Sequence, residues 1–546
     1  MENTKIPLLI GVTGHRDLQF PDIVYEKSLN IFRHLQAKYP HTPICVMSAL
    51  AEGADQICAE AALDSGAEVW CIIPFEERLY LSRFNSQSGV ERYQALKARA
   101  SRVIEIGADP SSQEKYVAAG RFIVEHSMLL LAAWDGCKSE DPGGTWSVID
   151  FALNKYKYIP DVLPADDTAT LMIHLFSERE RKSNDLVLKT LPRTGEVFVG
   201  KSPDAMSDFT FDNKNHFIHE LIIPLEEFNR VPQIQKKTLN IPEHLEKEYE
   251  LSQWLERYSK SSKLAQQFQN KYNRQLTILF CGGVSGGLCI QIYGGIDLTV
   301  YPWGQHFIGL YLLLWACMYC YWLFTHKLFH IKYLEQRLMT QYLKTYIYTR
   351  LLGCDEGFQK KCCVCEISSG AFTANAVKYW SLLSDKNIDN FDANRELVQK
   401  IWIEAQIKYL SQKIVSSEKS SVRRKIIQYS LTFFAITVSL FFAAGFYLSA
   451  TGKIYDFLCT INGLLVALPL FSLAMFLVWH QQKNTEKTIK QYSDMLKNFQ
   501  YIKICFASDC REELNEKVIA IGNASIKETL SWVEAYMDSH PEVIKS

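Results

Sequence analysis

Apolar and polar positions change rhythm along this chain. Over about the first 200 residues, short apolar runs alternate with amphipathic stretches. Runs at 6–12, 42–47, 69–73, 103–106 and 128–133 have strand length, and each ends in glycine, proline or a polar turn. Helical periodicity covers 22–39, a stretch with Ile57, Ala61 and Ala62 on one face up to Ser65-Gly66, then 90–102, 116–125 and 146–153. Strand and helix alternating through short glycine-bearing turns predict a parallel sheet wrapped by helices. Two later runs, 169–176 and 195–199, read as strands that finish this domain.

Farther on the apolar runs lengthen. Those at 276–293, 305–325, 429–449 and 457–479 approach the ~20 residues that an α-helix needs to cross ~30 Å of hydrocarbon, and none contains Asp, Glu, Lys or Arg. They form two pairs with short loops, 294–304 and 450–456. The first loop has no Lys or Arg and the second only Lys453, whereas 326–427 is rich in both and sets Arg423-Arg424-Lys425 beside the third run. The positive-inside rule then puts both termini and the central segment in the cytosol. Tyr301, Trp303, Trp322 and Trp479 stand near the run ends, as interfacial aromatics do. The alternative, four buried helices of a soluble protein, needs an apolar partner surface for each run. Gly282, Gly283, Gly286 and Gly287 form overlapping G-x-x-x-G pairs, which let helix backbones approach within a bundle or between subunits. The stretch 242–275 reads as a helix with Leu251, Trp254, Leu255 and Tyr258 on one face, running into the first span. Both pairs open alike (Gln275-Leu276-Thr277, Ser430-Leu431-Thr432) and exit at a histidine (His326, His480) into a Lys-bearing helix, as in an internal duplication. Charge-free spans argue against a proton-coupled transporter or a voltage sensor and leave a pore open.

Composition narrows the class. At 546 residues the chain is long enough for several domains, and its formal net charge of −1 implies no polybasic affinity for nucleic acid. No signal peptide is read at 1–18. The 15 cysteines follow no secreted spacing, and several (Cys45, Cys58, Cys71, Cys289, Cys317) sit in apolar contexts, as thiols of a reducing compartment do. Cys354, Cys362, Cys363 and Cys365 cluster with a spacing that matches no paired C-x2-C zinc arrangement. They read as reduced structural thiols, and no metal or cofactor is expected.

The candidate chemistry lies on loops that follow strands. Gly11-Val12-Thr13-Gly14-His15-Arg16 combines glycines that let backbone N–H groups approach a ligand with donors on Thr13, His15 and Arg16, ahead of a helix N-terminus suited to an anion. Ser48-Ala49-Leu50-Ala51-Glu52-Gly53-Ala54-Asp55 is the second such loop. Trp134-Asp135-Gly136 and Pro142-Gly143-Gly144-Thr145 follow the fifth strand. Ligands of parallel sheets bind outside the carboxyl ends of the strands, so these loops converge on one edge. Glu52 and Asp55 can serve as acid or base, or Asp55 can cap the helix it opens. His15 reads as a ligand donor, a loop hydrogen-bonder or a base. The string 195–202 also fits G-x-x-x-x-G-K-S, but Val197-Phe198-Val199 is strand-like and Pro203 follows, so it reads as a chance match.

Ser48-x-Leu50-Ala51-x-Gly53-x-Asp55, with Ala59, Ala62 and Gly66 downstream, resembles the S-G-L-A-x-G-x-D signature of the SLOG superfamily. That Rossmann-like group includes the Smf/DprA proteins and the LOG hydrolases. Gly120-Arg121, Trp134-Asp135-Gly136 and Gly143-Gly144-Thr145 fall in the order of that fold, over about residues 6–200. The resemblance implies a nucleotide-binding site formed by Gly11, Thr13, Gly14, His15, Arg16, Ser48, Leu50, Ala51, Glu52, Gly53, Asp55, Arg121, Trp134, Asp135, Gly143, Gly144 and Thr145. It departs from the LOG pattern at Val148, where the hydrolases carry a glutamate, and this puts base-releasing hydrolysis in doubt. The paired apolar runs resemble SLATT modules, two-span membrane units that accompany SLOG domains in bacterial conflict systems. Together the resemblances imply an α/β Rossmann-like domain (1–201), a linker and coupling helix (202–270), a two-span membrane module (271–352), a cytosolic helical segment (353–428) and a second two-span module (429–546), so that the second part is an all-α membrane domain. The function implied is a multi-pass inner-membrane effector of antiphage defence. It would take a nucleotide second messenger, a cyclic oligonucleotide or an ADP-ribose derivative, as activator, assemble as a homo-oligomer and disrupt the bilayer. The messenger would come from an enzyme encoded nearby. The alternative is a membrane-tethered nucleotide hydrolase of LOG-like type.

Overall fold

The computed structural model describes residues 5–107, 115–139, 141–154, 170–180, 186–188, 192–201, 206–209, 216–232, 239, 241–248, 251–295, 302–325, 329–361, 371–383, 391–448, 485–508 and 510–539. The chain divides into two compact units, Met1–Lys236 with Cys362–Lys386, and Lys237–Lys361 with Asn387–Ser546.

The first unit is built on one sheet. Its strands are β1 (Leu8–Gly14), β2 (Ile44–Ser48), β3 (Glu68–Ile73), β4 (Arg102–Glu105), β5 (Leu129–Trp134), β6 (Leu171–Phe176), β7 (Val197–Gly200) and β8 (Ser207–Asp208), in the order β4-β3-β2-β1-β5-β6-β7-β8. β1 to β6 pair in parallel, whereas β7 and β8 run antiparallel on the β6 edge. The sheet is therefore mixed at one edge, where the sequence pattern predicts a parallel one. Apolar runs carry no strand direction; only a crossover helix enforces the parallel sense. β7 takes up Val197–Gly200 of the G-x-x-x-x-G-K-S string, so its inner residues form a strand.

Helices of this unit are α1 (Pro21–Lys38), α2 (Ala54–Asp64), α3 (Glu77–Leu81), α4 (Gln87–Arg99), α5 (Lys115–His126), α6 (Thr145–Leu153), α7 (His216–Arg230) and, from the later segment, α13 (Ala371–Ser381). α1 starts on Pro21, which fits a first turn, and buries Val24, Ile31, Phe32 and Leu35 at helical spacing. β2 and β5 are buried along their whole length, as strands covered on both faces are. Val124, Leu130, Trp134, Ile149, Phe151 and Met172 form one core between β5, α5 and α6.

Two elements depart from the sequence reading. The span 202–231 reads as partly irregular but contains α7, which buries Ile218, Ile222, Leu225 and Phe228. Its Asn229 holds both backbone groups of Ile6 at 2.8 Å. The span 367–394 reads as loop-rich but contains α13, which buries Phe372, Val377 and Trp380 and stacks Tyr379 on Trp70 at 5.9 Å. α7 has helical spacing at 218, 222, 225 and 228, but Pro224 lies inside it and argues against a helix, while α13 is buried on most sides and so shows no single apolar face.

The second unit is helical. It comprises α8 (Glu243–Glu248), α9 (Ser252–Gly295), a 3-10 turn (Pro302–Gln305), α10 (His306–Thr325), α11 (Phe329–Leu351), α12 (Asp355–Lys360), α14 (Phe391–Val398), a π-helical turn (Gln399–Glu404), α15 (Ala405–Leu448) and the helices Thr485–Ser508 and Arg511–Ser539. Its core surrounds α11, with Leu338, Tyr342, Leu343 and Tyr346 fully buried. Trp254 lies 4.3 Å from Tyr346 and Tyr348 stacks on Trp402 at 5.0 Å. The buried Arg350 and Asp355 pair at 3.1 Å.

Among the described residues one segment, not four, is long and apolar enough to cross a membrane: Pro302–Leu323, with a mean hydropathy of 1.4 and its most apolar stretch unburied. The run 276–293 forms the end of α9, which is one helix from Ser252 onward. The run 429–449 continues α15 to Leu448, and 457–479 lies outside the described residues. Gly282 faces Met318 of α10 so closely that a side chain there would collide, and Gly286 faces Tyr311 and Trp315. Cys354 is buried and not part of a disulfide, while Cys362, Cys363 and Cys365 lie outside the described residues.

Candidate functional site

The strand order reverses direction between β1 and β5, and open α/β sheets bind ligands outside the strand ends at such a switch point. A cleft of about 350 Å³ occupies that position. Its walls come from the loop after β1, the loop after β2, the end of β3, α5 and the turn that opens α6. The volume falls in the range of small-ligand sites, ~300–1,000 Å³.

Two glycine-capped helices open beside it. α2 has Gly53 at its N-cap and α6 has Gly144, and neither cap position supplies a side-chain hydrogen bond. Gly53 has φ +90°, and a Cβ there would lie 2.5 Å from the backbone of Arg16. That glycine therefore lets the first two loops touch, and the Ala54 N–H donates to the His15 carbonyl at 3.0 Å. Leu50, fully buried, is held in the left-handed region at φ +52°. The Ser48 hydroxyl accepts from its N–H at 3.0 Å. Gly143 has φ +77° and backs directly onto Tyr116.

Of the residues singled out in the sequence, Thr13, Gly14, His15, Arg16, Ala51, Asp55, Gly143, Gly144 and Thr145 line the cleft. Arg16 is exposed there. Asp55 is buried, and burial pushes its carboxyl up to about 7, against the opposing pull of Arg16 and an Ala51 N–H. Asp55 is not the helix cap, since Gly53 holds that position and Asp55 is the second residue of α2.

The others stand behind the walls. His15 Nε2 lies 3.0 Å from Asp135 Oδ1, and the same carboxylate oxygen accepts the Cys137 N–H at 3.0 Å. Burial works against the ionised Asp135, but the hydrogen bond and charge of His15, the Cys137 N–H and Arg179 outweigh it, so this carboxyl titrates below its ordinary value. Asp135 thus positions His15 and does not face the cleft. Trp134 is wholly buried, stacks on Trp146 at 5.6 Å and donates from Nε1 to the Cys137 carbonyl at 2.8 Å. Its own carbonyl accepts from Nε2 of His174, whose imidazole burial pushes down to about 4. Arg121 packs over the Phe151 ring at 5.6 Å. Gly11 lies against Ser127, where no side chain fits.

Glu52 is committed elsewhere. It accepts from the Asn85 N–H at 2.6 Å and from the Ser86 N–H and hydroxyl at 3.0 and 2.8 Å, tying the α2 turn to the start of α4. Both oxygens are engaged outside the cleft, which leaves Asp55 as the carboxyl of that loop with access to it.

Sequence reasoning missed Tyr80, Tyr116, Asp141 and Arg179, which also line the cleft. Tyr80 donates to the Ala49 carbonyl at 3.0 Å, and its ring lies 6.5 Å from that of Tyr116. Arg179 Nε donates to Asp17 Oδ1 at 3.0 Å. Arg179 follows β6, so extending the strand-end rule to that strand would have found it. The tyrosines sit on helices, where that rule gives no signal.

Fold and cleft define a doubly wound α/β domain with a small-ligand cleft at its switch point. No family model matches this chain, and no curated protein matches it.

Proposed function

We propose that the chain is a membrane effector switched by a nucleotide-derived messenger. The observation that carries this reading is the cleft at the switch point, where two glycine-capped helix N-termini and Arg16 suit a phosphate while Tyr116 offers aromatic surface. The SLOG resemblance supports the same ligand class. The membrane side rests on the exposed apolar segment Pro302–Leu323, on the exposed apolar end of α15 and on the four charge-free runs of the sequence. On this reading each chain contributes four spans in two hairpins, lies in the inner membrane with its α/β domain cytosolic, and assembles with copies of itself.

The chain passes between the two units at 236–237, 361–362 and 386–387. These covalent links can transmit a change in the α/β unit, provided the messenger binds the active state more tightly than the resting one. The output is a pore or a bilayer defect that arrests the infected cell.

The test uses purified full-length chain in dye-loaded liposomes, with a panel of cyclic di- and trinucleotides, ADP-ribose and its cyclic forms. Release with one messenger, lost in Arg16→Ala, is expected. Sealed liposomes in the presence of a messenger that binds would refute the pore.

A second reading is supported by one observation. Asp55 is a buried carboxyl at the cleft that titrates near neutrality, as a general acid does. Turnover of a bound nucleotide that disappears in Asp55→Asn would establish a membrane-tethered hydrolase instead. Val148 at the LOG glutamate position, buried against Gly120, weighs against it.

A further inference from the structure

α15 is one uninterrupted helix from Ala405 to Leu448. Along it Val415, Lys419, Val422, Ile426, Tyr429 and Phe433 recur at alternating spacings of four and three, and Ile436 and Leu440 continue the pattern. This is the spacing of core positions in a left-handed coiled coil. The apolar members are between 48% and 72% exposed. The partly covered stripe on the other side of the helix is Ile414, Ser417, Ser421, Arg424 and Gln428. Between 415 and 426, then, the apolar face points outward and the more polar face inward, the reverse of a helix that packs only within its own chain.

The residues flanking the seam select the partner. With Lys419 and Ile426 as a positions and Val415 and Val422 as d positions, Glu418 is a g position and Arg423 the next e position. In a parallel pair, g of one helix meets the following e of the other, so Glu418 meets Arg423 twice about the two-fold axis. An antiparallel pair sets g against g and e against e, so Glu418 and Arg423 would not meet. A shallow groove runs over these same residues, lined by Val415, Glu418, Lys419, Val422, Arg423 and Ile426. Lys419 at a core position costs stability and fixes register.

We infer that α15 carries a parallel coiled-coil seam for a second copy of this chain, centred on Val415–Ile426 and continuous with the third apolar run. The parallel sense agrees with two copies inserted the same way in one bilayer; to that extent the inference rests on the membrane reading. A lipid surface is the competing occupant. Val415 lies about 21 Å along the helix axis from Tyr429, at 1.5 Å per residue. A continuous helix that crosses the bilayer from Tyr429 onward cannot also lay Val415 and Val422 along its surface.

The test is disulfide cross-linking of the full-length chain in native membranes, without added nucleotide, scored against the parent chain to discount its own cysteines. Val422→Cys should give a cross-linked dimer absent from the parent, and Ser421→Cys should not. Adding E418R or R423E to Val422→Cys should abolish most of the dimer, and adding both should restore it. Equal cross-linking at 421 and 422, or no rescue by the double reversal, overturns the seam. So does a Val422→Cys chain that resists aqueous maleimide without forming a dimer, since another protein or lipid then covers the face. Messenger-driven liposome release is read separately. Loss of the seam with release retained leaves the proposed function standing, and the converse result leaves the seam standing.

Discussion

Asp55 gives the sharpest physical test of the cleft. Its carboxyl titrates near 7 in the folded chain against an ordinary value of 3.8, because burial removes water from the ionised form. Between these values the folded state keeps a proton that the unfolded state has released. Stability is therefore lost as pH rises from about 4 through about 7, and the deficit is complete above that window. The separation of about 3 pH units, at about 1.4 kcal/mol each, comes to about 4 kcal/mol. Water entering the open cleft makes this a ceiling. Asp55→Asn keeps the shape and removes the charge. At pH 8 the variant should melt higher than the parent, by up to about 16 °C at ~2–4 °C per kcal/mol for a domain of this size. At pH 4 the two should coincide. The assay is differential scanning fluorimetry of detergent-solubilised full-length chain from pH 4 to 8, following the first transition. Parallel profiles for parent and variant across that range would refute the claim that burial holds Asp55 protonated.

Asp135→Asn should act with the opposite sign. Asp135 titrates below its ordinary value, so its contribution is present at neutral pH and lost as pH falls through the carboxylate range; the variant should melt lower at pH 7, with the gap closing in acid. Gly53→Ala places a Cβ at φ +90° against the Arg16 backbone and should cost more than ~1 kcal/mol, read as a lower melting temperature and poorer yield. Gly282→Val should loosen the close contact with Met318 and speed proteolysis between α9 and α10 in detergent. Affinity for an anionic nucleotide should rise as pH falls through about 7 in the parent and lose most of that dependence in Asp55→Asn, as measured by calorimetry.

Much of the fold was legible because β1 to β6 alternate with helices, and the short runs that mark them, apart from the edge strand β4, are buried on both sides. Strand direction at the β7–β8 edge was not, since hydropathy records burial and not polarity. α7 has a legible apolar face that Pro224 obscures, and α13 is buried on too many sides to show one. Asn229 bonding to Ile6 and Tyr379 stacking on Trp70 are contacts across about 220 and 310 positions of chain, invisible to any local window. At the site, the loops after β1, β2 and β5 were legible as glycine-bearing strand ends. The division of labour within them was not. Glu52 and Asp55 are three residues apart and chemically alike, yet Glu52 is consumed by the α4 start while Asp55 faces the cleft. Only the path of 85–89 past the α2 turn separates them. Trp134 and Asp135 likewise follow a strand end but turn inward, where Cys137 and His15 hold them.

An acidic residue at the opening of α2 looks at first like an argument against a phosphate in this cleft. An ionised Asp55 would oppose any anion drawn to that helix N-terminus. A neutral Asp55 does the reverse, because a protonated carboxyl can donate a hydrogen bond to a phosphate oxygen. Burial supplies the neutral form near physiological pH, and a bound anion would raise the proton affinity further. Asp17 is neutralised separately by Arg179 at 3.0 Å, and Asp135 is turned toward His15. Asp141 and Arg16 are then the charged side chains left to meet a ligand, one of each sign. On the proposed reading the cleft would therefore become an anion site through protonation of Asp55, with little surplus positive charge. Such a site would discriminate by the hydrogen-bond geometry of a particular nucleotide more than by its net charge, which is what a sensor surrounded by abundant cellular nucleotides requires.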